Sequence, residues 1–193
     1  MTDAIRSFLA VPVADTVAEP LMATINASTP SLPPLKATPR ANLHLTLVFL
    51  GSLPRSTLSQ QVIPRVSELL ADARPGRIHC RQVAGFPDPG KPRHLVLEGY
   101  ASPTIETLQR TLREGLAATL GQSQQERQWR PHITVAHLRD RRPPAIRPTP
   151  WQAELPVSEV CLYDSQQGLH GPVYEVRERW SLSHEPAETD GDT

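Results

Sequence analysis

Two tetrapeptides share one pattern of residue types, His44-Leu45-Thr46-Leu47 and His132-Ile133-Thr134-Val135. Each reads histidine-apolar-threonine-apolar, and each lies inside a strand-like run in a different half of the chain. Because residues i and i+2 of a β-strand point to the same side, each motif presents its histidine and its threonine together. Two imidazoles can supply one acid and one base, which activate water and protonate a leaving oxygen without a metal. The pattern therefore favours phosphoester chemistry, with two hydroxyls as neutral hydrogen-bond partners.

A structural role is the alternative interpretation of each motif. A single histidine on a half-buried strand is most often a satisfied structural residue, and short His-x-Thr patterns arise by chance. The repetition of the whole pattern argues against this interpretation for the pair, because polar residues are costly to place inside strands without a role.

Length and composition are those of an ordinary globular protein. The chain has 193 residues, 38% hydrophobic and 21% charged, which argues against disorder and fits one domain. Lysine plus arginine equals aspartate plus glutamate at 20 each, so an anionic substrate has to be recognised by local groups. We find no signal peptide and no apolar run long enough to span a membrane, and we therefore expect a cytoplasmic protein. We also expect a monomer.

The predicted elements follow the order strand–helix–strand–helix–strand–strand–helix–strand–strand–strand. The clearest helix has Ser102 as its N-cap and Pro103 in its first turn, and another helix over 56–73 is interrupted near Pro64. A stiff, proline-rich connection is predicted over 140–150.

One motif strand falls in each half of the chain, and no long polar linker divides the two halves. We therefore predict one α+β domain over 1–183. It has two similar lobes whose antiparallel sheets face a central active-site cleft, with the helices on the outside. Residues 184–193 are acidic, lack apolar anchors and are predicted to form a disordered tail.

The chain resembles the two-histidine phosphoesterase superfamily, and within it the RNA 2′,3′-cyclic phosphodiesterases, historically called 2′-5′ RNA ligases. The resemblance covers nearly the whole chain and rests on its first strand, the two motif blocks and its last hairpin. These segments are Arg6–Ala10, Asn42–Gly51, Arg130–Ala136, Leu162–Ser165 and Gly171–Tyr174.

The resemblance implies an enzyme that hydrolyses a 2′,3′-cyclic phosphate at an RNA end or on a nucleotide to a 2′-phosphomonoester, with no metal and no cofactor. Some members also join RNA ends weakly and reversibly through a 2′-5′ linkage. Carried onto this chain, His44 is the proton donor to the departing 3′ oxygen and His132 is the base that activates water. Thr46 and Thr134 hold the phosphate oxygens.

The chain departs from the family where an arginine commonly follows the second motif, because His137 stands there. Arg130, His137 and Arg139 are therefore the candidate substrate contacts. Strict strand alternation puts His137 on the face opposite His132, which favours a structural role unless the strand bulges. The same alternation, counted from His44, points Phe49 towards the core.

Two rival functions are considered. A metal hydrolase that uses His44 and His132 as ligands lacks an Asp or Glu at ligand-like spacing in either motif. A non-catalytic RNA-end or nucleotide-binding module is disfavoured by the neutral net charge and the absence of an aromatic-rich sheet motif. Small cyclic nucleotides and ADP-ribose cyclic phosphate stay open as alternative substrates.

Overall fold

The computed structural model describes residues 3–28, 31–121, 128–140, 142–168 and 171–183. The predicted tail over 184–193 lies outside the described residues. Within them the chain forms nine strands, which carry most of the regular structure. The strands are β1 (Ala4–Pro12), β2 (Leu35–Ala37), β3 (His44–Pro54), β4 (Gly76–Phe86), β5 (His94–Ala101), β6 (His132–Leu138), β7 (Thr149–Val157), β8 (Glu159–Gly168) and β9 (Gly171–Ser181).

The strands pair in the order β7-β4-β5-β6-β3-β1-β8-β9, with β2 added to β6. All the pairings are antiparallel. At the centre β3 and β6 meet at a single register pair, Leu45 with Ile133. The sheet therefore consists of two half-sheets, β7-β4-β5-β6 and β9-β8-β1-β3, whose innermost strands carry the two motifs. This confirms the predicted α+β class with a motif strand in each half.

Three helices pack on one face of the sheet: α1 (Asp15–Ser28), α2 (Ile63–Leu70) and α3 (Pro103–Thr119). The helix α3 follows Ser102 and has Pro103 in its first turn, as predicted, although the Ser102 side chain makes no capping hydrogen bond. The apolar residues Ile105, Leu108, Leu112 and Leu116 form its buried face. Helical turns over Arg55–Thr57 and a π-helical turn over Leu58–Val62 lead into α2. Pro64 stands at the start of α2, directly after the π-helical turn, and this confirms the predicted interruption.

The two faces of the sheet have different roles. Leu9, Leu45 and Ile133 belong to the main core, which the helices cover. The other face carries a small separate cluster around Phe8 and Tyr163. Since residues alternate between the faces, the motif histidines and threonines lie on the face opposite the helices.

Two strands were not predicted. The three-residue strand β2 lies in the proline-rich loop before the first motif, and β7 begins inside the predicted connection over 140–150. Pro150 and Pro156 fit β7 because it is the outermost strand of its half-sheet.

Cys80 and Cys161 are free and buried, and burial raises the pKa of each thiol to about 11. Within the described ranges, no helix is long and apolar enough to cross a membrane.

Candidate active site

A cavity of about 340 Å³ opens on the helix-free face, above the junction of the half-sheets. His44, Thr46, His132 and Thr134 all line it, so the structure brings the four motif residues together. No Asp or Glu is among the described residues that line its walls. The cavity therefore suits an anionic ligand, because no carboxylate of these walls repels one.

Both motif histidines are held in the same way. His44 Nδ1 lies 2.7 Å from the Asn42 carbonyl oxygen, and His132 Nδ1 lies 2.7 Å from the Arg130 carbonyl oxygen. A carbonyl oxygen only accepts hydrogen bonds, so Nδ1 of each ring carries the proton and donates. In the neutral ring this leaves Nε2 unprotonated. Nε2 is therefore the atom that can take up or release a proton.

Burial lowers the pKa of both motif histidines, and the backbone hydrogen bond of each ring opposes that effect. The pKa of His44 is lowered further by the charge of His132 when that ring is protonated. Near neutral pH the two rings are therefore mostly neutral, and protonation of one disfavours protonation of the other. Such a coupled pair suits a reaction that needs one acid and one base.

The ring of His44 lies in an aromatic setting. The Phe8 ring centroid is 4.7 Å away, and the Tyr174 ring meets the imidazole edge-on at 5.1 Å. The Asn42 side-chain amide donates to the Pro172 carbonyl oxygen at 2.9 Å, which ties the start of β9 to the segment before His44. The hairpin of β8 and β9 therefore forms one wall of the cavity.

The ring of His132 stacks on Phe86, with centroids 4.3 Å apart. The Arg130 guanidinium lies 4.9 Å from the Phe86 centroid and pairs with Glu98 at 3.1 Å. Arg130 lowers the pKa of His132 and Glu98 raises it, both less strongly than burial lowers it. Arg130 lines a neighbouring hollow of about 510 Å³ that contains neither motif histidine. The exposed Arg139 lines neither of these two cavities.

Each motif strand has an extra residue at the last position of its tetrapeptide, and β3 has a second one at Leu50. On β3 the pairing with β1 shifts between Thr46 and Val48, which leaves Leu47 without an opposite residue. On β6 the pairing with β5 shifts between Thr134 and Ala136, which leaves Val135 unpaired in the same way. These are β-bulges, and each one reverses the alternation of the residues that follow.

The bulges overturn two expectations from simple alternation. His137 lines the cavity with the motif residues rather than facing away from His132. Its ring contacts His94 edge-on at 4.9 Å, and burial lowers its pKa, so it is mostly neutral near pH 7. Phe49 was expected in the core, and this was wrong, because its side chain lines the cavity and is 66% exposed.

The carbonyl group of each bulge has a partner outside its own strand. The Leu47 carbonyl oxygen accepts a hydrogen bond from the buried side-chain amide of Gln109 on α3, at 3.1 Å. The Val135 carbonyl oxygen accepts from the backbone N–H of Thr38 at 2.9 Å. These bonds satisfy carbonyl groups that the ladder leaves free and hold both bulges in place.

Sequence reasoning missed several cavity residues, notably Thr38, Arg6 and Ser165. Thr38 is only 7% exposed, and its hydroxyl has no hydrogen-bond partner among the described residues. No local signal marks Thr38, since the backbone bond to Val135 brings it to the cavity. Arg6 could have been found, because it precedes Phe8 by two residues and so shares its face of β1.

Comparison with known families agrees with the motifs. The family model described as the 2′-5′ RNA ligase superfamily matches residues 15–169. The chain belongs to this superfamily. It is 33% identical over 157 residues to a Thermus thermophilus protein named RNA 2′,3′-cyclic phosphodiesterase, which covers 78% of this chain and 77% of that relative. A relative of the same name from Archaeoglobus fulgidus is 26% identical over 176 residues, covering 88% of this chain and 96% of that relative.

Solved structures share the fold of this superfamily member. A crystal structure of a Thermus thermophilus protein matches with a TM-score of 0.79 and 29% identity, covering 92% of this chain and 98% of that chain. E. coli LigT, crystallised with 3′-AMP, matches with a TM-score of 0.69 and 22% identity over 94% of this chain and 99% of that chain. The second likeness is one of fold alone.

Proposed function

We propose that this chain is a cyclic phosphodiesterase that opens 2′,3′-cyclic phosphates at RNA ends or on nucleotides and leaves a 2′-phosphomonoester. The observation that carries the proposal is the paired arrangement of His44 and His132, each with Nδ1 bound to a carbonyl oxygen. Both rings line one cavity with two threonines. The name shared by the two relatives described above supports the same activity.

The reaction needs two proton transfers, one to each side of the phosphorus. His132 Nε2 takes a proton from water as the water oxygen bonds to phosphorus. The bond from phosphorus to the 3′ oxygen breaks, and protonated His44 Nε2 gives that oxygen a proton. One water is added in total, and the histidines end in exchanged protonation states that solvent restores. Each such transfer typically contributes about 10²–10⁴-fold to the rate.

Thr46 and Thr134 donate hydrogen bonds to the phosphate oxygens, whose negative charge grows as water attacks. Neutral donors suit this role, because they stabilise the developing charge without holding the dianionic product too tightly. His137 is a third neutral donor at neutral pH, because its pKa is lowered by burial and by the charge of Lys36. The exposed face of Phe49 offers a stacking surface for the nucleotide base.

The division of roles between the histidines rests on the family resemblance, and a leaving-group experiment tests it. In a cyclic substrate with sulfur in place of the 3′ oxygen, the leaving group needs no proton. His44→Ala should therefore recover much of its lost rate on this substrate, and His132→Ala should not. Recovery by His132→Ala instead would exchange the two roles.

The proposed mechanism is independent of metal ions, since two imidazoles supply both proton transfers. Among the residues that the structure describes, no three His, Cys, Asp or Glu side chains converge as a metal site. Hydrolysis of a 2′,3′-cyclic mononucleotide should persist after exhaustive chelation. Activity that disappears with the chelator and returns with a divalent cation would overturn this part of the proposal.

The same assay separates the proposal from its rivals. A non-catalytic binding module would bind the cyclic nucleotide and leave it unchanged, and phosphorus NMR of the mixture would show no phosphomonoester. A product phosphorylated mainly on the 3′ oxygen would contradict the proposed direction of ring opening. A parallel assay with ADP-ribose cyclic phosphate shows whether the site hydrolyses that compound. A second assay with pairs of RNA ends shows whether the protein joins them through a 2′-5′ linkage.

A further inference from the structure

The cavity extends beyond the histidines to Arg6. Arg6 lies on β1 two residues before Phe8, and its partner across the β1–β8 pair is Ser165. Both Arg6 and Ser165 line the cavity, as does Gln167, which follows Ser165 by two residues on the same face of β8. One cationic and two neutral polar residues therefore line this end of the cavity.

This end lies further along β1 than the motif residues. Ala10 is the β1 residue opposite Thr46, and Arg6 precedes Ala10 by four residues. Four residues of a strand span roughly 13 Å. Phe8 and Phe49 are paired across the two strands between these levels, and their ring centroids are 6.3 Å apart. The rings of Phe8 and Phe49 therefore lie between the level of the motif residues and the level of Arg6 along the strands.

The charge of Arg6 is available to a ligand. Arg130, beside the same site, forms an ion pair with Glu98 at 3.1 Å. In the described part of the chain, by contrast, no carboxylate forms an ion pair with Arg6, and the described cavity walls hold no Asp or Glu. A guanidinium with several N–H donors, set beside hydroxyl and amide groups in a concave wall, suits a phosphate group.

We propose that Arg6, Ser165 and Gln167 form a subsite for a second phosphate, attached to the 5′ oxygen of the nucleotide whose cyclic phosphate reacts. The proposal rests on the proposed function, which puts the cyclic phosphate between His44 and His132. The base of that nucleotide stacks on Phe49. The second phosphate is either a free 5′-phosphate or the phosphodiester that continues an RNA strand. The subsite makes the enzyme prefer these substrates to a nucleoside cyclic phosphate.

Three substrates with one base test the proposal: adenosine 2′,3′-cyclic phosphate, its 5′-phosphorylated form, and the dinucleotide ApA with a 2′,3′-cyclic end. In the unmodified enzyme, kcat/KM should be about 10-fold higher for the last two than for the first, as expected for a charge-assisted contact. Arg6→Gln should bring the ratio close to one, and Arg6→Lys, which keeps the charge but loses the planar fork, should give an intermediate ratio. A preference for ApA alone would identify the diester as the ligand.

Arg110→Gln is the matched control, because Arg110 is exposed on α3, on the covered face of the sheet. It should keep the wild-type ratio. An unchanged ratio in Arg6→Gln, or no preference in the unmodified enzyme, would overturn the subsite. A uniform loss on all three substrates would instead assign Arg6 to the reacting phosphate.

A binding measurement separates this proposal from the proposed function. Adenosine 2′,5′-bisphosphate carries both phosphates and 2′-AMP only one, and calorimetry needs no turnover. The bisphosphate should bind about 10-fold more tightly to the unmodified protein and equally to Arg6→Gln. If no substrate is hydrolysed but this difference holds, the proposed function fails and the subsite stands. Equal affinities in the unmodified protein would refute the subsite alone.

Discussion

Phe49 and His137 occupy equivalent places in the two half-sheets. Each follows its motif histidine by five residues, and each is turned into the cavity by one extra residue in its strand. The extra residues, Leu47 and Val135, are the last residues of the two tetrapeptides. The internal symmetry of the molecule therefore extends beyond the four motif residues, and an aromatic ring and an imidazole flank the site from opposite sides.

The bulge at Leu47 predicts a dual effect of a change in α3. Gln109→Leu removes the amide that donates to the Leu47 carbonyl oxygen at 3.1 Å. The carbonyl group is then buried without a partner, which should lower the free energy of unfolding by about 1–3 kcal/mol. Phe49 should also lose its fixed orientation, raising KM more than it lowers kcat. Chemical denaturation and steady-state kinetics check the two effects.

The motif histidines should behave as one catalytic unit. His44→Ala and His132→Ala should each lower kcat by roughly 10²-fold or more, and the double variant should be little worse than the poorer single variant. Melting temperatures close to that of the unmodified protein should accompany these losses. Near-normal rates combined with earlier melting would make the histidines structural.

The motif threonines should contribute less than the histidines. Thr46→Val and Thr134→Val each remove one donor to the phosphate and should cost about 1–3 kcal/mol of transition-state stabilisation. The loss should appear in kcat/KM for a cyclic phosphate. Binding of a nucleoside without phosphate serves as the control and should be unchanged, because in the proposed mechanism the hydroxyls contact only the phosphate.

The sequence was sufficient to predict the four motif residues in one cavity, because His44 and Thr46, and likewise His132 and Thr134, precede the bulges. Phe49 and His137 follow the bulges, and alternation assigns both to the wrong face. A bulge is set by the pairing with a neighbouring strand, here Leu9 and Ala10 for β3, which local patterns do not reveal. The sequence did not predict β7 for a related reason. Its prolines argue against a strand unless the strand lies at the edge of a sheet, and the sequence does not show which strands lie at an edge.

The side chain of Arg130 should control the pH dependence of the reaction. Its positive charge lowers the pKa of His132, whereas Glu98 raises it. In Arg130→Gln both changes act in one direction, because the charge is lost and Glu98 is freed, so the pKa of His132 should rise. If His132 is the base, its neutral form is then lost at a higher pH, and the acidic limb of the kcat/KM profile moves upward.

The limb that moves identifies the role of His132. A shift of the alkaline limb would make His132 the acid, since a higher pKa keeps that ring protonated to a higher pH. Arg77→Gln is the control, because it removes an arginine from a comparable pair with Glu154, 2.8 Å apart, outside the described cavity lining. It should move neither limb.

Thr38→Val should raise stability and lower activity together. The Thr38 hydroxyl is buried without a partner in the described part of the chain, and such a group costs free energy in the folded state. Valine removes this cost, so the free energy of unfolding should rise by about 1 kcal/mol. The backbone N–H that holds the Val135 carbonyl oxygen is unaffected. If the hydroxyl donates a hydrogen bond to the substrate, kcat/KM should fall by about 3- to 10-fold, as for one lost neutral hydrogen bond.

Thermal melting and steady-state kinetics give the two values, with Thr24→Val, on α1, as a control that should leave kcat/KM unchanged. A more stable variant with full activity would show that the hydroxyl plays no part in binding or catalysis, and a less stable one would show that it has a structural partner.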